Sequence, residues 1–372
     1  MQSRAISVFE EYLDSQKTIT QYKYMIQKFV KDNNLESFDT ILGMNGLELT
    51  QKLEDYLIAF KEKGRSSSYI RLNTFAIQSF CEANNKQDVN WKKLRKLNAC
   101  KKSKPKKTRP YTTSEVKRML HCVKSLRNKS IILFLSSSGV RRGALPVLKV
   151  GNLKQMSLGC VAVTVYEGSD EEYVTFINKE CNDMLTLYLE ERKHNGEIIT
   201  NDSSVFQLKN YSLKAISEAS ISNMLERTKI NAGVNFEGTP NLLCHGLRRR
   251  FNTILKLRDG SNPTLIERLM GHDMKLDNSY FQPTLEQLFA EYQKGMADLT
   301  IDDAERLFVE RKEVEKQISE FESQKLEQKS MQQEIDIIKN NQFKMNQIMT
   351  LVRMGKVRIV DNNNEIVNLS LI

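Results

Sequence analysis

The sequence is poor in the residues that break helices, with 6 prolines and 16 glycines among 372 residues. This scarcity favours a helix-rich protein over a β-sandwich. No apolar run approaches the ~20 residues that a membrane-spanning helix needs, so we expect no membrane partner. The first fifteen residues, MQSRAISVFEEYLDS, carry acidic side chains and lack an apolar core. We therefore expect no signal peptide.

Cysteine and histidine are also scarce, with six and four copies. No two cysteines form a C-x-x-C pair and no histidine cluster accompanies them, which predicts reduced thiols in a cytoplasmic protein without a metal site. The cysteines are Cys81, Cys100, Cys122, Cys160, Cys181 and Cys244. The net charge of +10 and the pI near 9.1 are typical of proteins that bind nucleic acid or an anionic surface. A basic protein that binds neither partner can carry the same net charge, so the charge alone does not identify a partner.

Apolar periodicity and charge divide the first part of the chain into two blocks. In residues 1–97 apolar residues recur at helical spacing, which predicts a small helical domain. Residues 98–110 contain most of a run of basic residues with two prolines, which predicts an interdomain linker. Such a run is usually a solvated surface. Between two domains it can also lie along a phosphate backbone and bind through counterion release.

The following block mixes helices with a few strand-like segments. Val161–Tyr166 and Tyr173–Ile177 are runs of alternating or β-branched residues about a turn that contains glycine, which predicts a hairpin. The segment SIILFLSSSGV predicts a buried helix broken at its serines and Gly139. Residues 299–347 are rich in Glu, Lys and Gln, with apolar residues at 4-3 spacing in two registers. They predict a long helix or an imperfect coiled coil, followed by a tail at 348–372.

One segment, CHGLRRRFNT at Cys244–Thr253, combines a histidine with three arginines. Leu247 and Phe251 fall on one helical face and predict the core contact. His245 and Arg248 are three residues apart, so they share another face near the start of the helix, where an anion is favoured. The segment therefore need not bury its charge and can present a His–Arg pair to a phosphate. It fits equally an exposed basic helix with an incidental histidine.

Two further segments carry candidate residues. In SSSGVRRGAL, Arg141 follows a buried helix and a glycine turn, from which its guanidinium can bind two phosphate oxygens. In NPTLIERLMGHD, Asn262 and Gly271 predict the two ends of a helix, and His272 comes directly after it. Tyr280 follows eight residues later. Taken singly, a histidine in a loop or a lone tyrosine is usually structural.

The order of these motifs is more informative than any one of them. The chain has G-x-R, then H-x-x-R about a hundred residues later, then G-H, then Y. This order resembles the tyrosine recombinase (phage integrase) family over Thr112–Glu291, and most of all integrases of archaeal viruses and mobile elements. The resemblance implies a mainly α fold with a small β-sheet. A helical core-binding domain at 1–97 would precede an integrase-like catalytic domain at 111–298.

The resemblance also implies an activity, site-specific DNA recombination, and a role for each candidate. Tyr280 would attack the scissile phosphate and form a 3′-phosphotyrosine link. Arg141 and Arg248 would hold the non-bridging oxygens. His245 would take part in proton transfer with the tyrosine, and His272 would hydrogen-bond the phosphate. Because the covalent link conserves the bond energy, neither ATP, a metal nor another cofactor is expected.

Three departures from the family pattern bear on this interpretation. Ala144 occupies the position, three after the first arginine, where the family usually has an acidic residue. The hairpin turn, Glu167–Glu172, lacks the family's general-acid lysine, and neither Lys154 nor Lys179 lies where the pattern places it. The spacing from the second histidine to the assigned tyrosine is about one residue short, and Tyr292 is a spare tyrosine.

Three alternatives remain open at this point. A type IB topoisomerase uses the same chemistry on one duplex, a decayed integrase binds DNA without cleaving it, and a coiled-coil scaffold would carry the motifs by coincidence. For the recombinase, the expected partners are double-stranded DNA and further copies of the chain, as a tetramer on paired sites. Self-association through 303–347 is a further hypothesis. The protein would be cytoplasmic and associated with the nucleoid through DNA.

Overall fold

The computed structural model describes residues 3–97, 108–208, 213–234, 243–274 and 281–356. The chain divides into two units, Met1–Pro105 and Lys106–Ile372. Within the described ranges no helix has both the length and the hydropathy that crossing a membrane requires. Cys100 lies outside these ranges, and the other five cysteines are free thiols.

The described part of the first unit consists of helices around one apolar core. They are α1 (Arg4–Glu11), α2 (Gln16–Asp32), α3 (Phe38–Gly43), α4 (Gly46–Glu62), α5 (Ser67–Ala83) and α6 (Trp91–Leu97). Ser15, Asn45 and Ser66 cap α2, α4 and α5, because each side-chain oxygen accepts a backbone N–H from the first turn. Phe29 and Phe80 are fully buried where the apolar faces meet. The helical prediction for this block is confirmed.

The second unit adds a small sheet to a larger set of helices. Its elements are α7 (Thr113–His121), α8 (Leu126–Ser138), β1 (Leu153–Gln155), β2 (Val161–Val165), β3 (Tyr173–Ile177), α9 (Lys179–His194), α10 (Glu218–Asn231), α11 (Leu243–Leu257), α12 (Pro263–Leu269), α13 (Leu285–Lys294), α14 (Met296–Leu299) and α15 (Asp303–Arg353). The expected mainly α fold with a small sheet is confirmed.

The sheet separates two layers of apolar side chains. It is antiparallel in the order β1-β2-β3, and Val161 pairs with Ile177 in the hairpin. Because side chains alternate along a strand, Val161 and Val163 face the core made with α8 and α9, while Ala162 and Phe176 face the core made with α11 to α14. The predicted hairpin is confirmed. β1 is three residues long, too short to show alternation in the sequence.

Helix α8 is buried along most of its length and ends beside the candidate site. The predicted break at the serines is wrong, since the hydroxyls of Ser137 and Ser138 bond back to carbonyls one turn earlier, at 2.8 and 2.5 Å. The helix stops at Gly139, which has a φ of 63°. A Cβ at this position would lie 2.5 Å from the Phe251 ring, so both backbone and space require glycine.

The long helix α15 is anchored at its base and exposed beyond it. The Glu180 carboxylate accepts the backbone N–H groups of Ile301 and Asp302, at 2.8 and 3.0 Å. Lys179 pairs with Glu305 at 3.1 Å. At about 1.5 Å per residue, a helix of this length spans about 75 Å. It ends at Arg353, beyond the predicted limit of residue 347.

Candidate active site

Four of the five predicted site residues line one cleft of the second unit. Arg141, His245, Arg248 and His272 come from three different parts of the chain and surround a cavity of about 660 Å³. Arg141 follows α8, the His–Arg pair lies on the first turns of α11, and His272 follows α12. The fifth residue, Tyr280, lies outside the described residues.

Arg248 is held by the ends of two helices. Its side chain is buried, with 6% of its surface exposed. Nη1 donates to the carbonyl oxygen of Gly139 and Nη2 to that of Met270, both at 2.6 Å. These carbonyls belong to the C-terminal ends of α8 and α12, where helix dipoles place partial negative charge. Backbone groups thus fix the plane of the guanidinium within the cleft.

Arg141 is held in the same way. Its Nη2 donates to the carbonyl oxygen of Gly271 at 2.8 Å, next to the carbonyl that binds Arg248. Ala144, which stands where the family usually has an acidic side chain, is buried and offers no acceptor there. The buttress that the sequence lacked is therefore supplied by backbone carbonyls.

The turn that supplies these carbonyls depends on a glycine. Gly271 has a φ of 60°, and a Cβ there would lie 2.4 Å from the ring of Tyr173. Tyr173 starts β3, so the sheet packs directly against the turn that holds the arginines. Burial raises the pKa of Tyr173, while the charges of Arg248 and Arg141 lower it, in keeping with a phenol beside both guanidiniums. Sequence reasoning missed Tyr173.

His245 stands at the mouth of the cleft as a neutral base. Burial lowers its pKa, and the positive charges of Arg249 and Arg248 lower it further. At neutral pH the imidazole therefore carries no charge and can accept a proton. Burial likewise lowers the pKa of Arg248, aided by Arg141 and opposed by Tyr173.

His272 is oriented by a carboxylate from α12. Its Nδ1 contacts Oε2 of Glu267, and Oε1 of the same carboxylate contacts Lys256. Asn262 caps α12 and Gly271 ends it in the left-handed conformation, as predicted. This turn brings residues 267 and 272 together, a pairing that their sequence separation does not suggest.

One wall of the cleft carries an ion pair that the motifs did not indicate. Arg142 donates through Nε and Nη2 to Glu218 on α10, at 3.1 and 2.8 Å, and through Nη1 to Ser222 at 2.6 Å. Its charge is therefore partly neutralised by a carboxylate, whereas among the described residues Arg141 donates to a backbone carbonyl. Arg142 and Glu218 belong to the wall rather than to the anion-binding pair.

The third arginine of the motif, Arg250, corrects the prediction that this segment need not bury its charge. It is 1% exposed and lies on the core side of α11. It donates to the carbonyls of Asp298 and Leu299 and to the hydroxyls of Thr113 and Ser136, at 2.8 to 3.3 Å. Burial lowers its pKa to about 10. Arg250 fastens α11 to α14 and has no place in the cleft.

The remaining lysine and tyrosine candidates lie away from the cleft. Lys154 is exposed on β1, and Lys179 is paired with Asp183 and Glu305, at 2.6 and 3.1 Å. No lysine is among the described residues that line the cleft. Tyr292 is fully buried between aromatic rings, and burial raises its pKa well above the ordinary value. A phenol in this position cannot reach a phosphate.

Comparisons with known proteins agree with the family resemblance that the motifs indicated. Residues 110–280 match the phage integrase family, while no curated protein matches the chain. The structure is similar to the Tn1549 transposon integrase in complex with transposon right end DNA, with a TM-score of 0.53 and 16% identity over 78% of this chain and 98% of that chain. It is also similar to a lambda integrase dimer bound to a COC' core site, with a TM-score of 0.52 and 17% identity over 76% and 96%.

A third similar structure is the XerH site-specific recombinase bound to a palindromic difH substrate. The TM-score is 0.52 and the identity 18%, over 70% of this chain and 74% of that chain. At these identities the likeness shows a shared fold. Together with the sequence match, it confirms the family resemblance for the region that contains the cleft. Residues 110–280 therefore match the phage integrase family, and the tyrosine recombinases that share this fold are enzymes.

Proposed function

We propose that the chain is a site-specific DNA recombinase that cleaves and rejoins double-stranded DNA through a 3′-phosphotyrosine intermediate. The observation that carries this proposal is the convergence of Arg141, His245, Arg248 and His272 on one cleft of a phage integrase family domain. The excess of basic residues in the whole chain, +10, supports an extended polyanion as the partner.

The two arginines of the cleft suit a phosphodiester that gains charge during reaction. In the pentavalent transition state the non-bridging oxygens carry more negative charge than in the ground state. Arg141 and Arg248 can each donate to these oxygens. Because backbone carbonyls already fix both guanidiniums, little reorganisation is needed when the charge develops.

Tyr280 is the proposed nucleophile. Its oxygen forms a bond to phosphorus as the bond from phosphorus to the 5′-oxygen breaks. The phenolic proton passes to neutral His245, and the leaving 5′-oxygen takes up a proton from water. His272 donates a hydrogen bond to the phosphate. The new phosphotyrosine keeps the bond energy, so a 5′-hydroxyl from another strand can reverse the step without ATP.

A second candidate function is DNA binding without cleavage. It is favoured by the lack of a lysine among the described residues of the cleft, since no cationic acid is then in place for the leaving 5′-oxygen. Strand relaxation of the type IB topoisomerase kind uses the same nucleophile on one duplex. It differs from recombination in needing no paired sites.

The proposal extends to the way in which the chain assembles on DNA and to the element that it serves. The helical unit at 1–97 and the basic segment at 98–110 would contact the DNA that flanks the cleaved site. Four copies would act on two paired sites. The chain would serve an archaeal virus or another mobile element. It would act in the cytoplasm, on the nucleoid.

Helix α15 would join copies of the chain. It has 10 acidic and 9 basic residues, a net charge of −1, which suits a protein partner better than DNA. Its exposed apolar residues include Ile318 and Phe321, at 54% and 67% exposure. Two such helices would bury these residues against each other in a coiled coil.

The test uses a plasmid that carries the gene and its flanking DNA, incubated with the protein without metal or ATP. Denaturant traps covalent complexes. We expect a protein–DNA adduct and, with two sites, exchanged strands, both lost in Tyr280→Phe. An adduct without strand exchange would indicate a topoisomerase. DNA binding without an adduct on any tested DNA would contradict the proposal and favour the second candidate.

A further inference from the structure

We propose that Glu267 is a positioning residue for His272, which it holds through Nδ1 so that Nε2 is the nitrogen that meets the phosphate. The inference rests on the proposed function for the identity of the ligand. The contact itself does not depend on DNA, because it lies between two side chains of the described structure.

Two separate contacts tie His272 to Glu267. The backbone N–H of His272 donates to the Glu267 carbonyl oxygen at 3.1 Å, while the N–H of Gly271 donates to the Arg268 carbonyl at 2.8 Å. This pair of bonds closes α12. The turn places the imidazole back over the last turn of the helix, where Nδ1 meets the carboxylate Oε2. Main chain and side chain thus fix the ring together.

The carboxylate is shared with a second cation. Lys256, from the last turn of α11, contacts Oε1 of Glu267. Burial alone would raise the pKa of Glu267, but the hydrogen bonds from Lys256 and His272 outweigh it and lower the pKa. Glu267 is therefore ionised at neutral pH and can only accept hydrogen bonds.

An accepting carboxylate decides which nitrogen of His272 carries a proton. Nδ1 must be the N–H that faces Glu267, so Nε2 is the nitrogen left for a ligand. To donate a hydrogen bond to a phosphate oxygen, the imidazole must carry a proton on Nε2 as well as on Nδ1, and the negative charge of Glu267 beside Nδ1 stabilises that cationic form. The cationic side chains near Glu267 are those of Lys256 and Arg248, and His272 adds a positive charge only when both of its nitrogens are protonated.

The first arm of the test reads the tautomer without DNA. The full chain is labelled with ¹⁵N-histidine, and the four imidazoles are assigned with His272→Gln as a reference. We expect the neutral form of His272 to be protonated at Nδ1 in the wild type. In Glu267→Ala the proton should move to Nε2, the more stable site in a free imidazole. Glu267→Gln keeps an acceptor and should preserve Nδ1–H.

The second arm measures cleavage of a bound DNA site by the same variants. Glu267→Ala should lose up to about a hundredfold in cleavage rate, as expected for a misplaced site group, and Glu267→Gln should recover much of it. Lys256→Met is the matched control, because it removes the other partner of Glu267 and leaves the contact with His272. Comparing the two variants separates the loss of His272 positioning from a general loss of stability. Thermal unfolding of each variant measures that stability.

The outcomes distinguish this inference from the proposed function. A wild-type His272 protonated at Nε2, or Glu267→Ala with an unchanged tautomer, would overturn the inference even if DNA is cleaved. Equal cleavage by Glu267→Ala and Lys256→Met would also overturn it. A chain that cleaves no DNA would contradict the proposed function, while the tautomer measurement would still stand.

Discussion

Helix α11 carries three consecutive arginines and buries two of them, whereas α15 carries a series of apolar residues and is mostly exposed. In α11 each arginine finds acceptors: Arg248 on two helix ends, Arg249 on the Thr108 carbonyl at 3.1 Å, and Arg250 on two carbonyls and two hydroxyls. In α15 the apolar residues beyond the base find no other element of the described structure to cover them.

The difference shows that partners, rather than residue type alone, decide burial. A guanidinium can enter a core where backbone carbonyls converge, since each N–H then replaces a bond to water. An apolar residue stays exposed where no second surface is available, and such residues in a series mark a place for another chain. Changes at the two ends of α11, on α15 and in pH would each show whether partners decide where charged and apolar residues lie.

The largest effect is expected at the cleft end of α11. Arg248→Ala should lower the rate of DNA cleavage by about a thousandfold, because it removes a fixed donor to the transition state. Arg248→Lys should fail nearly as badly, since an ammonium cannot span two carbonyls and a phosphate. Arg249→Ala, one residue away and outside the cleft lining, is the control and should lose less than tenfold. Equal losses of cleavage rate in the two alanine variants would show that Arg248 has no special role in cleavage.

Substitution of Arg250, at the core end of α11, should lower the free energy of unfolding and leave phosphate binding to the cleft residues. Arg250→Met should destabilise the second unit by about 3 kcal/mol, because the carbonyls of Asp298 and Leu299 lose their donor. Denaturant unfolding of the full chain measures it. Val147→Ser, at an exposed position, serves as a comparison and should change stability little. An unchanged unfolding midpoint in Arg250→Met would show that the core does not depend on this side chain.

The exposed helix should report on assembly. Replacing both Ile318 and Phe321 with glutamate should lower the mass of the oligomer in solution, by light scattering, towards that of one chain. Gln317→Glu with Gln324→Glu adds the same charge at polar positions and should leave assembly intact. A chain that is monomeric in both variants and in the wild type would leave α15 as a solvated arm.

The smallest effect concerns pH. The pKa of His245 is lowered, so the neutral base persists below the ordinary histidine value of about 6.5. Cleavage should therefore hold as pH falls to that value and decline only below it, where the imidazole takes up a proton. Arg249→Gln removes one of the charges that lowers this pKa and should move the decline to higher pH. An acid limb that is identical in both proteins would contradict this electrostatic coupling.

The order of the motifs, and the family resemblance that it carries, predicted the four residues that line the cleft, and helical spacing placed His245 and Arg248 on one face. The hairpin followed from alternation. Sequence reasoning could not find what holds the arginines, since backbone carbonyls leave no residue signature. It also missed Arg250. Helical periodicity predicts the burial of apolar residues, and it cannot predict that four residues distant in sequence supply hydrogen-bond acceptors to a buried guanidinium.

Other gaps have a geometric cause. Glu267 and His272 are five residues apart, a spacing with no helical contact, and only the left-handed turn at Gly271 brings them together. Tyr292 was a spare nucleophile by sequence, and the aromatic packing around it removes that role. The place of Tyr280 in the chemistry stays a prediction, because that residue lies outside the described ranges.

Locating the residue that becomes linked to DNA would show whether Tyr280 is the nucleophile. Wild type, Tyr280→Phe and Tyr292→Phe are each trapped on DNA with denaturant, digested, and analysed by mass spectrometry for a nucleotide-bearing peptide. We expect the nucleotide on Tyr280 in the wild type and in Tyr292→Phe, and no adduct in Tyr280→Phe. A nucleotide on any other residue, or an adduct that survives in Tyr280→Phe, would contradict the account.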